Sequence, residues 1–319
     1  MTIDVHLTPA DLAASLRTDV RAGLTSTPKV LPPKYFYDGR GSELFEDITR
    51  LPEYYQTRAE AGILTAHADE IADLTKARSL VEHGSGSSEK THLLLAALRD
   101  VGSLESYVPV DVSADAIEWA MPGLVAGYPG LDVHGVVADF ERHLDLLPSD
   151  GPRLVAFLGG TIGNFEPAQR ASFLASVGAT LGPGDALLLG TELVKDPARL
   201  VRAYDDAAGV TAAFDLNVLH VMNRELGATF DVDRFEHVAV WDAEHEWIEM
   251  RLRSLDDQRV DVPSLGLSVD FTAGEEMRTE ISAKFRQDKV AAELTAAGLR
   301  LSQWWTDEPG DFALSLALA

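Results

Sequence analysis

The sequence predicts an α/β protein with a parallel sheet covered by helices on both faces and a second, smaller antiparallel sheet inserted late in the chain. From about residue 58, short apolar runs alternate with helical segments. Continuously apolar strands, each followed by a helix, are typical of a parallel sheet buried on both sides. Beyond about residue 210, apolar and polar residues alternate without intervening helices, which is typical of an antiparallel sheet with one packed face.

The individual elements follow from these patterns. An amphipathic helix over residues 8–24 is predicted by apolar residues at every fourth position, namely Leu12, Leu16, Val20 and Leu24. Prolines then interrupt regular structure before an aromatic-rich stretch over residues 35–55. The predicted parallel strands include 80–81, 107–110, 133–137, 154–158 and 186–189, and the predicted helices between them include 90–98 and 167–181.

The insertion contributes alternating segments around residues 248–253, 265–271 and 277–285, after which a helix at 288–297 and strands at 299–305 and 312–318 complete the main sheet. We therefore predict one domain from residues 58–195 plus 286–319. A second domain is predicted from residues 1–57 plus 196–285.

Composition limits the partners. The 319 residues contain 27 Lys and Arg against 51 Asp and Glu, a net charge of −24, which disfavours nucleic acid and anionic membrane surfaces. Cysteine is absent, so disulfides, thiolate metal sites and a cysteine nucleophile are excluded. The N-terminus resembles no signal peptide and no apolar stretch reaches about 20 residues, so a cytoplasmic protein is expected.

A glycine turn, Gly84-Ser85-Gly86, lies between an apolar strand and a helix, the usual place for a nucleoside cofactor in an open α/β sheet. A dinucleotide fingerprint needs a third glycine where Glu89 stands, and that anion would lie near a pyrophosphate. S-adenosylmethionine has no phosphate and carries a sulfonium cation, so the acidic loop suits it better. Asp111, at the end of the next strand, could accept the ribose hydroxyls of either cofactor.

Asp139 and Phe140 close the third strand, where an acid and an aromatic ring could bracket an adenine. A strand-end cap with a core phenylalanine explains the same pair. Asn164 follows three glycines in five residues, which permit close approach of a ligand to the backbone, although a tight turn capped by asparagine has the same pattern.

Four motifs together closely resemble the histidine Nα-methyltransferases of ergothioneine biosynthesis, actinobacterial type. They are Leu51–Tyr55, Glu82–Thr91, Gly159–Asn164 and Met277–Phe285. The resemblance implies a Rossmann-like class I methyltransferase domain and an α+β substrate-binding domain formed by the N-terminal segment and the insertion. It also implies a monomer that transfers three methyl groups from S-adenosylmethionine to the α-amino group of L-histidine, producing hercynine without a metal.

The resemblance assigns roles residue by residue. Gly84, Lys90, Asp111, Asp139 and Phe140 match cofactor contacts, and Ser85 belongs to the same turn. Tyr54 and Asn164 match residues that hold the substrate's amino group, Tyr204 matches a carboxylate-binding tyrosine, and Glu280 and Ser282 match the pair that recognises the imidazole, with Tyr37 and Met250 near that ring. The sequence departs from the family at His83, usually aliphatic, and at Gln56, often proline, and His83 puts cofactor affinity in question.

Residue patterns alone leave alternatives open. Glu280 and Ser282 are two apart on a strand, so they should share a face opposite Met277, Thr279 and Ile281. Alternation by itself favours a solvated polar face shared with Arg278 and Lys284, whereas the resemblance favours imidazole recognition.

Three other functions remain to be tested. They are a methyltransferase for another amino acid or small amine, a nicotinamide-dependent oxidoreductase and a non-catalytic binding protein.

No cluster with metal-ligand spacing is found in the sequence. His245 between Glu244 and Glu246 is interpreted as a solvated hairpin tip. Methyl transfer from a sulfonium to an amine is an in-line displacement that depends on orientation. The amine must be neutral to attack, and whether Tyr54 also accepts its proton is left open.

Overall fold

The computed structural model describes residues 2–86, 90–138 and 151–319. Glu89, Asp139 and Phe140, singled out above, therefore lie outside the described residues. Within the described ranges, no helix has both the length and the apolar character needed to cross a bilayer. The chain divides into two compact units, the first comprising Met1–Leu7, Gln56–Val194 and Lys284–Ala319 and the second Thr8–Tyr55 and Lys195–Ala283.

The secondary structure follows the predicted alternation. The strands are β1 (Thr2–Val5), β2 (Lys29–Val30), β3 (Ser79–His83), β4 (Ser106–Asp111), β5 (Asp132–Val137), β6 (Arg153–Phe157), β7 (Ala186–Glu192), β8 (Phe235–Asp242), β9 (Trp247–Ser254), β10 (Gln258–Val262), β11 (Leu267–Phe271), β12 (Glu276–Ala283), β13 (Arg300–Thr306) and β14 (Phe312–Leu318). The helices are α1 (Pro9–Thr25), α2 (Gly39–Thr49), α3 (Gln56–Thr75), α4 (Thr91–Asp100), α5 (Ala114–Gly127), α6 (Pro167–Thr180), α7 (Pro197–Tyr204), α8 (Val210–Leu226) and α9 (Gln287–Ala296).

The first unit is built on a sheet whose described strands run in the order β1-β5-β4-β3-β6-β7-β14-β13. The first six strands in this order pair in parallel. β14 then pairs antiparallel with β7, and β13 pairs antiparallel with β14. β3 pairs with β4 on one side and with β6 on the other, so the strand order reverses beside β3. In open α/β sheets the ligand crevice lies at the carboxyl ends of strands at such a reversal. The predicted parallel sheet is confirmed.

One strand of this sheet was missed from the sequence. Thr2–Val5 pairs in parallel with β5 along its edge, so the first residues of the chain belong to the first unit. The sequence-based boundary, which groups residues 1–57 with the second domain, is therefore wrong at this end. A four-residue edge strand is held by backbone hydrogen bonds along one side, so it needs no long apolar pattern that a sequence could reveal.

The second unit contains a sheet in the order β2-β12-β9-β8 and a separate hairpin of β10 and β11. β8, β9 and β12 are antiparallel, as predicted for the insertion, whereas β2 from the N-terminal segment adds in parallel to β12. Side chains of α7 and α8 pack with Ile248, Met250 and Leu252 of β9 in one apolar core. One face of this sheet is therefore covered by helices.

A β-bulge in β12 changes which residues share a face. Arg278 lies opposite Arg251, and Glu280 lies opposite Met250, so Thr279 is the extra residue, and its hydroxyl donates to the Met250 carbonyl at 3.0 Å. An inserted residue shifts the alternation by one position. Met277 therefore shares a face with Glu280 and Ser282, and Arg278 lies on the opposite face, so our assignment of these two residues from strict alternation is wrong.

Candidate active site

The glycine turn lies at the carboxyl end of β3, next to the reversal of strand order. Gly84 and Gly86 have φ of +68° and +50°, in the left-handed region that favours glycine. The Gly84 amide donates to the Val110 carbonyl of β4 at 2.8 Å, which fixes the turn to the neighbouring strand. The structure thus places this predicted turn where a parallel sheet binds its ligands.

Asp111 ends β4, and its carboxylate bonds both this turn and the backbone just before α5. Oδ2 accepts from the Gly86 amide at 3.1 Å, and Oδ1 accepts from the Ser113 amide at 2.9 Å. Burial raises the pKa of Asp111, while the Ser113 and Gly86 amides oppose that rise. Because each carboxylate oxygen has two acceptor positions, the side chain can accept hydrogen bonds from two further hydroxyl groups and still bond the turn.

Ser85 offers a second polar group in the turn. Its side chain is buried, and within the described ranges its Oγ has no hydrogen-bond partner. A buried polar atom left without a partner is costly unless a ligand or water satisfies it. Ser85 and Asp111 together fit a polar nucleoside cofactor.

Glu60, on α3, is a buried residue that sequence reasoning missed. Its carboxylate accepts from the Gly159 amide at 2.8 Å and from the Lys90 ammonium, so it joins the backbone that follows β6 to the start of α4. A Cβ at Gly190 would lie 2.3 Å from Glu60 Oε1, so glycine at 190 makes room for the carboxylate. An acid inside the apolar stripe of α3 was the available clue, since Glu60 lies three and four residues before the buried Ile63 and Leu64.

Lys90, predicted to contact the cofactor, is therefore held by Glu60 in this structure. Close by, Glu82 at the end of β3 accepts from the Thr91 hydroxyl at 2.6 Å and from the Tyr107 hydroxyl at 2.5 Å. Burial raises the pKa of Glu82 to about 7, against the lowering effect of these hydrogen bonds. Glu82 ties the start of α4 and strand β4 to the base of the turn.

His83, the departure from the family pattern, is buried in β3 with the rings of Phe157 and Phe173 edge-on at 6.4 and 6.3 Å. Burial lowers its pKa to about 4. The histidine of the unfolded chain takes up a proton below about pH 6.5, whereas the folded one does so only near pH 4. Between these pH values acid protonates the unfolded state alone, so the free energy of unfolding falls as the pH is lowered.

We expect His83→Leu to raise the Tm more at pH 5 than at pH 8. The wild type loses about 2 kcal/mol of unfolding free energy between these pH values through this one group, and leucine does not titrate. Calorimetry of wild type and variant at both pH values measures the effect, with the exposed His220→Leu as the control. An equal shift in Tm at the two pH values would contradict the buried neutral state.

Asn164 ends a short 3₁₀ turn, Thr161–Asn164, that follows β6. Gly159 and Gly160 precede it with φ of +77° and +73°. The Gly159 loop therefore also begins at the carboxyl end of a strand beside β3, in the same unit as the cofactor turn. The contact of Asn164 with a substrate amino group stays a prediction.

In the second unit, the structure brings the predicted substrate residues together. The Tyr204 hydroxyl and Ser282 Oγ lie 2.7 Å apart, both buried. Glu280 lies opposite Met250 in the strand register, on the same face as Ser282. The ring of Tyr54 packs edge-on against Tyr204 at 6.5 Å. The helix-covered face of this sheet therefore bears the Glu280 carboxylate, the Ser282 hydroxyl and the Met250 thioether, and the Tyr204 hydroxyl reaches it from α7.

Tyr37 joins the same unit through its ring. It packs edge-on against Phe45 and Phe214, each at 5.5 Å, and Phe45 in turn lies 6.2 Å from Tyr54. The Tyr37 side chain is 40% exposed, so it is available to a ligand. The aromatic-rich stretch is therefore partly core and partly accessible surface.

Gln56, the second departure from the family pattern, has a structural role. Gln56 is the first residue of α3, and its buried amide donates at 3.2 Å to Glu192, which also accepts from Lys284 at 2.7 Å. A proline at this position could make no such bond.

Across the described ranges, no three His, Cys, Asp or Glu residues are grouped so as to hold a metal ion.

The parallel sheet, with its strand order reversing beside β3 and the glycine turn at that point, is the sheet of a class I methyltransferase fold. Residues 16–319 match the histidine-specific, S-adenosylmethionine-dependent methyltransferases, and the chain belongs to this family. The predicted resemblance is confirmed.

Curated relatives support the same assignment. The chain is 58% identical over 313 residues to the histidine N-alpha-methyltransferase of Mycolicibacterium smegmatis, covering 98% of both proteins. It is 58% identical over 303 residues to that of Mycobacterium tuberculosis, covering 95% of this chain and 94% of the relative. Ergothioneine biosynthesis protein 1 of Neurospora crassa is 37% identical over 207 residues, which cover 63% of this chain and 24% of the fungal protein.

Proposed function

We propose that the protein transfers methyl groups from S-adenosylmethionine to the α-amino nitrogen of L-histidine, three times in succession, to produce hercynine for ergothioneine biosynthesis. Membership of the histidine-specific family supports the reaction. The observation that carries the substrate is the hydrogen-bonded Tyr204 and Ser282 pair on the face that also bears Glu280.

The residues of the first unit fit the cofactor. Asp111 would accept the ribose hydroxyls, and Gly84 and Ser85 would bring the backbone and one buried hydroxyl to the ligand. Glu60 pairs with Lys90 and so offsets its positive charge, which suits a cationic ligand without phosphate. Bound here, S-adenosylmethionine supplies an electrophilic methyl group that an amine displaces directly.

The residues of the second unit would recognise histidine. Glu280 can accept a hydrogen bond from the N–H of one imidazole nitrogen, and Ser282 can hydrogen-bond the other nitrogen. The Tyr204 hydroxyl, which lies 2.7 Å from Ser282 Oγ, would turn its one proton toward the substrate carboxylate when histidine binds. Tyr54 would orient the amino group, whose lone pair must be free for attack.

Mass spectrometry of the protein incubated with S-adenosylmethionine and L-histidine tests this proposal. We expect histidine to gain one, two and then three methyl groups. The same assay with the other amino acids forms the control. Turnover of another amino acid with none of histidine would overturn the substrate, and binding of histidine without methylation would indicate a binding protein. A calorimetric titration with NADH should give no heat of binding, unlike one with S-adenosylhomocysteine.

We further propose that the enzyme acts as a cytoplasmic monomer. Sedimentation velocity should then give a single species near 34.5 kDa. A species of twice that mass at micromolar concentration would contradict this state.

A further inference from the structure

A buried histidine on β8 contacts the residue that the proposed function assigns to the substrate carboxylate. His237 Nδ1 lies 2.6 Å from Asp215 Oδ2 on α8, and His237 Nε2 lies 2.8 Å from the Tyr204 backbone carbonyl at the end of α7. The side chains of His237 and Asp215 are 1% and 0% exposed. The residue patterns do not predict this pair, and the proposed reaction assigns it no role.

Both partners of the ring are acceptors. A carbonyl oxygen cannot donate, and an ionised carboxylate cannot donate either, so His237 donates at both nitrogens only as an imidazolium. The charged groups that act on the ring are Asp215 on α8 and Asp205, the residue after α7. On the neighbouring strand β9, the apolar Leu252 lies opposite His237 in the register. Burial lowers the pKa of His237, but the Asp215 carboxylate, the Tyr204 carbonyl and the Asp205 charge together outweigh burial, so the net pKa is raised.

We propose that the His237–Asp215 pair is a positioning device for histidine recognition, in which the imidazolium holds the end of α7 so that the Tyr204 hydroxyl meets Ser282. This inference rests on the proposed function of Tyr204 and Ser282. His237 touches neither substrate nor cofactor in this account; it acts through the Tyr204 backbone.

The geometry supports an action through the backbone. Tyr204 is the last residue of α7, where unpaired carbonyls and the helix dipole favour a cation that donates a hydrogen bond. The Tyr204 side chain reaches Ser282 from this point. In the strand register, His237 stands opposite Leu252, which stands opposite Met277, so the ring lies on the same sheet face as Glu280 and Ser282.

Two variants separate positioning from general stability. Asp215→Asn keeps an acceptor for Nδ1 but removes the charge, so the pKa of His237 should fall, and the ring should lose its second proton as the pH rises. His237→Gln removes the imidazolium at every pH. The matched control is His245→Gln, which removes another histidine paired with an aspartate, Asp242, at 2.8 Å on an exposed turn of the same unit.

Calorimetry measures the Kd for L-histidine in the presence of S-adenosylhomocysteine at pH 6.0 and 8.5, expressed as the ratio of variant to wild type so that titration of the ligand cancels. For Asp215→Asn we expect a ratio that rises from pH 6.0 to pH 8.5, toward about 10, as the ring loses its second proton, and for His237→Gln we expect a ratio of about 10 at both pH values. His245→Gln should give a ratio near 1 throughout. A ratio for Asp215→Asn that does not change with pH would overturn the proposal.

A spectroscopic measurement on the wild type covers the case in which a buried variant fails to fold. The ¹⁵N shifts of the His237 ring should show two protonated nitrogens at pH 7.5, and a singly protonated ring would refute the proposal. Absence of histidine binding by the wild type would instead refute the proposed function. The two failures are therefore distinct.

Discussion

Replacing Glu280 by alanine is expected to weaken L-histidine binding about 100-fold while S-adenosylhomocysteine affinity stays within about twofold. A hydrogen bond to a charged group contributes about 1.5–3 kcal/mol, and its loss also leaves the partner nitrogen unpaired. Glu280 lies on the sheet of the second unit, whereas the cofactor turn belongs to the first. Substrate and cofactor affinity should therefore respond separately, as titration calorimetry can measure.

Glu276→Ala is the matched control for this substitution. It removes a glutamate from the same strand, but the bulge places Glu276 on the opposite face, where it bonds Arg251 and Arg253 at 2.6 Å. It should leave both affinities nearly unchanged. Equal losses for the two ligands in Glu280→Ala would mean that Glu280 stabilises the fold instead of recognising the imidazole.

Asp111→Asn is expected to weaken S-adenosylhomocysteine binding about 100-fold. Both oxygens of Asp111 already accept backbone amides, so replacing one by an NH₂ group sets a donor against a donor and removes an acceptor for a ribose hydroxyl. The measurement is a titration without histidine. Asp132→Asn, at the exposed start of β5 in the same sheet, is the control.

A selective role requires that the variant stay folded. The Tm of Asp111→Asn should lie within a few degrees of the wild type at pH 7.5, since Gly84 keeps its bond to Val110. Unchanged cofactor affinity would show that the ribose does not bind Asp111.

Much of the first unit could be predicted from the sequence because its strands are continuously buried. β14 was predicted at 312–318 as it stands, and α6 and α9 were predicted to within a residue or two at their ends. The glycine turn and Asp111 were found because they follow directly after such strands. The edge strand β1 was missed, because pairing along one side leaves little trace in four residues.

The site of the second unit was predicted less fully. Glu280 and Ser282 were identified through the family resemblance, but strict alternation assigned Met277 and Arg278 to the wrong faces. The bulge at Thr279 depends on the register with β9, which a single strand does not encode. Glu60 was missed because one acid in an apolar stripe has no meaning until its partners are known.

By itself, then, the sequence determined the order of the elements, the glycine turn with its acidic strand end, and the family. These depend on neighbours in the chain, whose periodicity and turn chemistry are local. Only the tertiary structure decided which face Glu280 shares with Met250, how Glu60 holds Lys90, and that His237 joins Asp215 to the Tyr204 carbonyl. Those contacts join residues far apart in the chain, and strand register and helix packing set them.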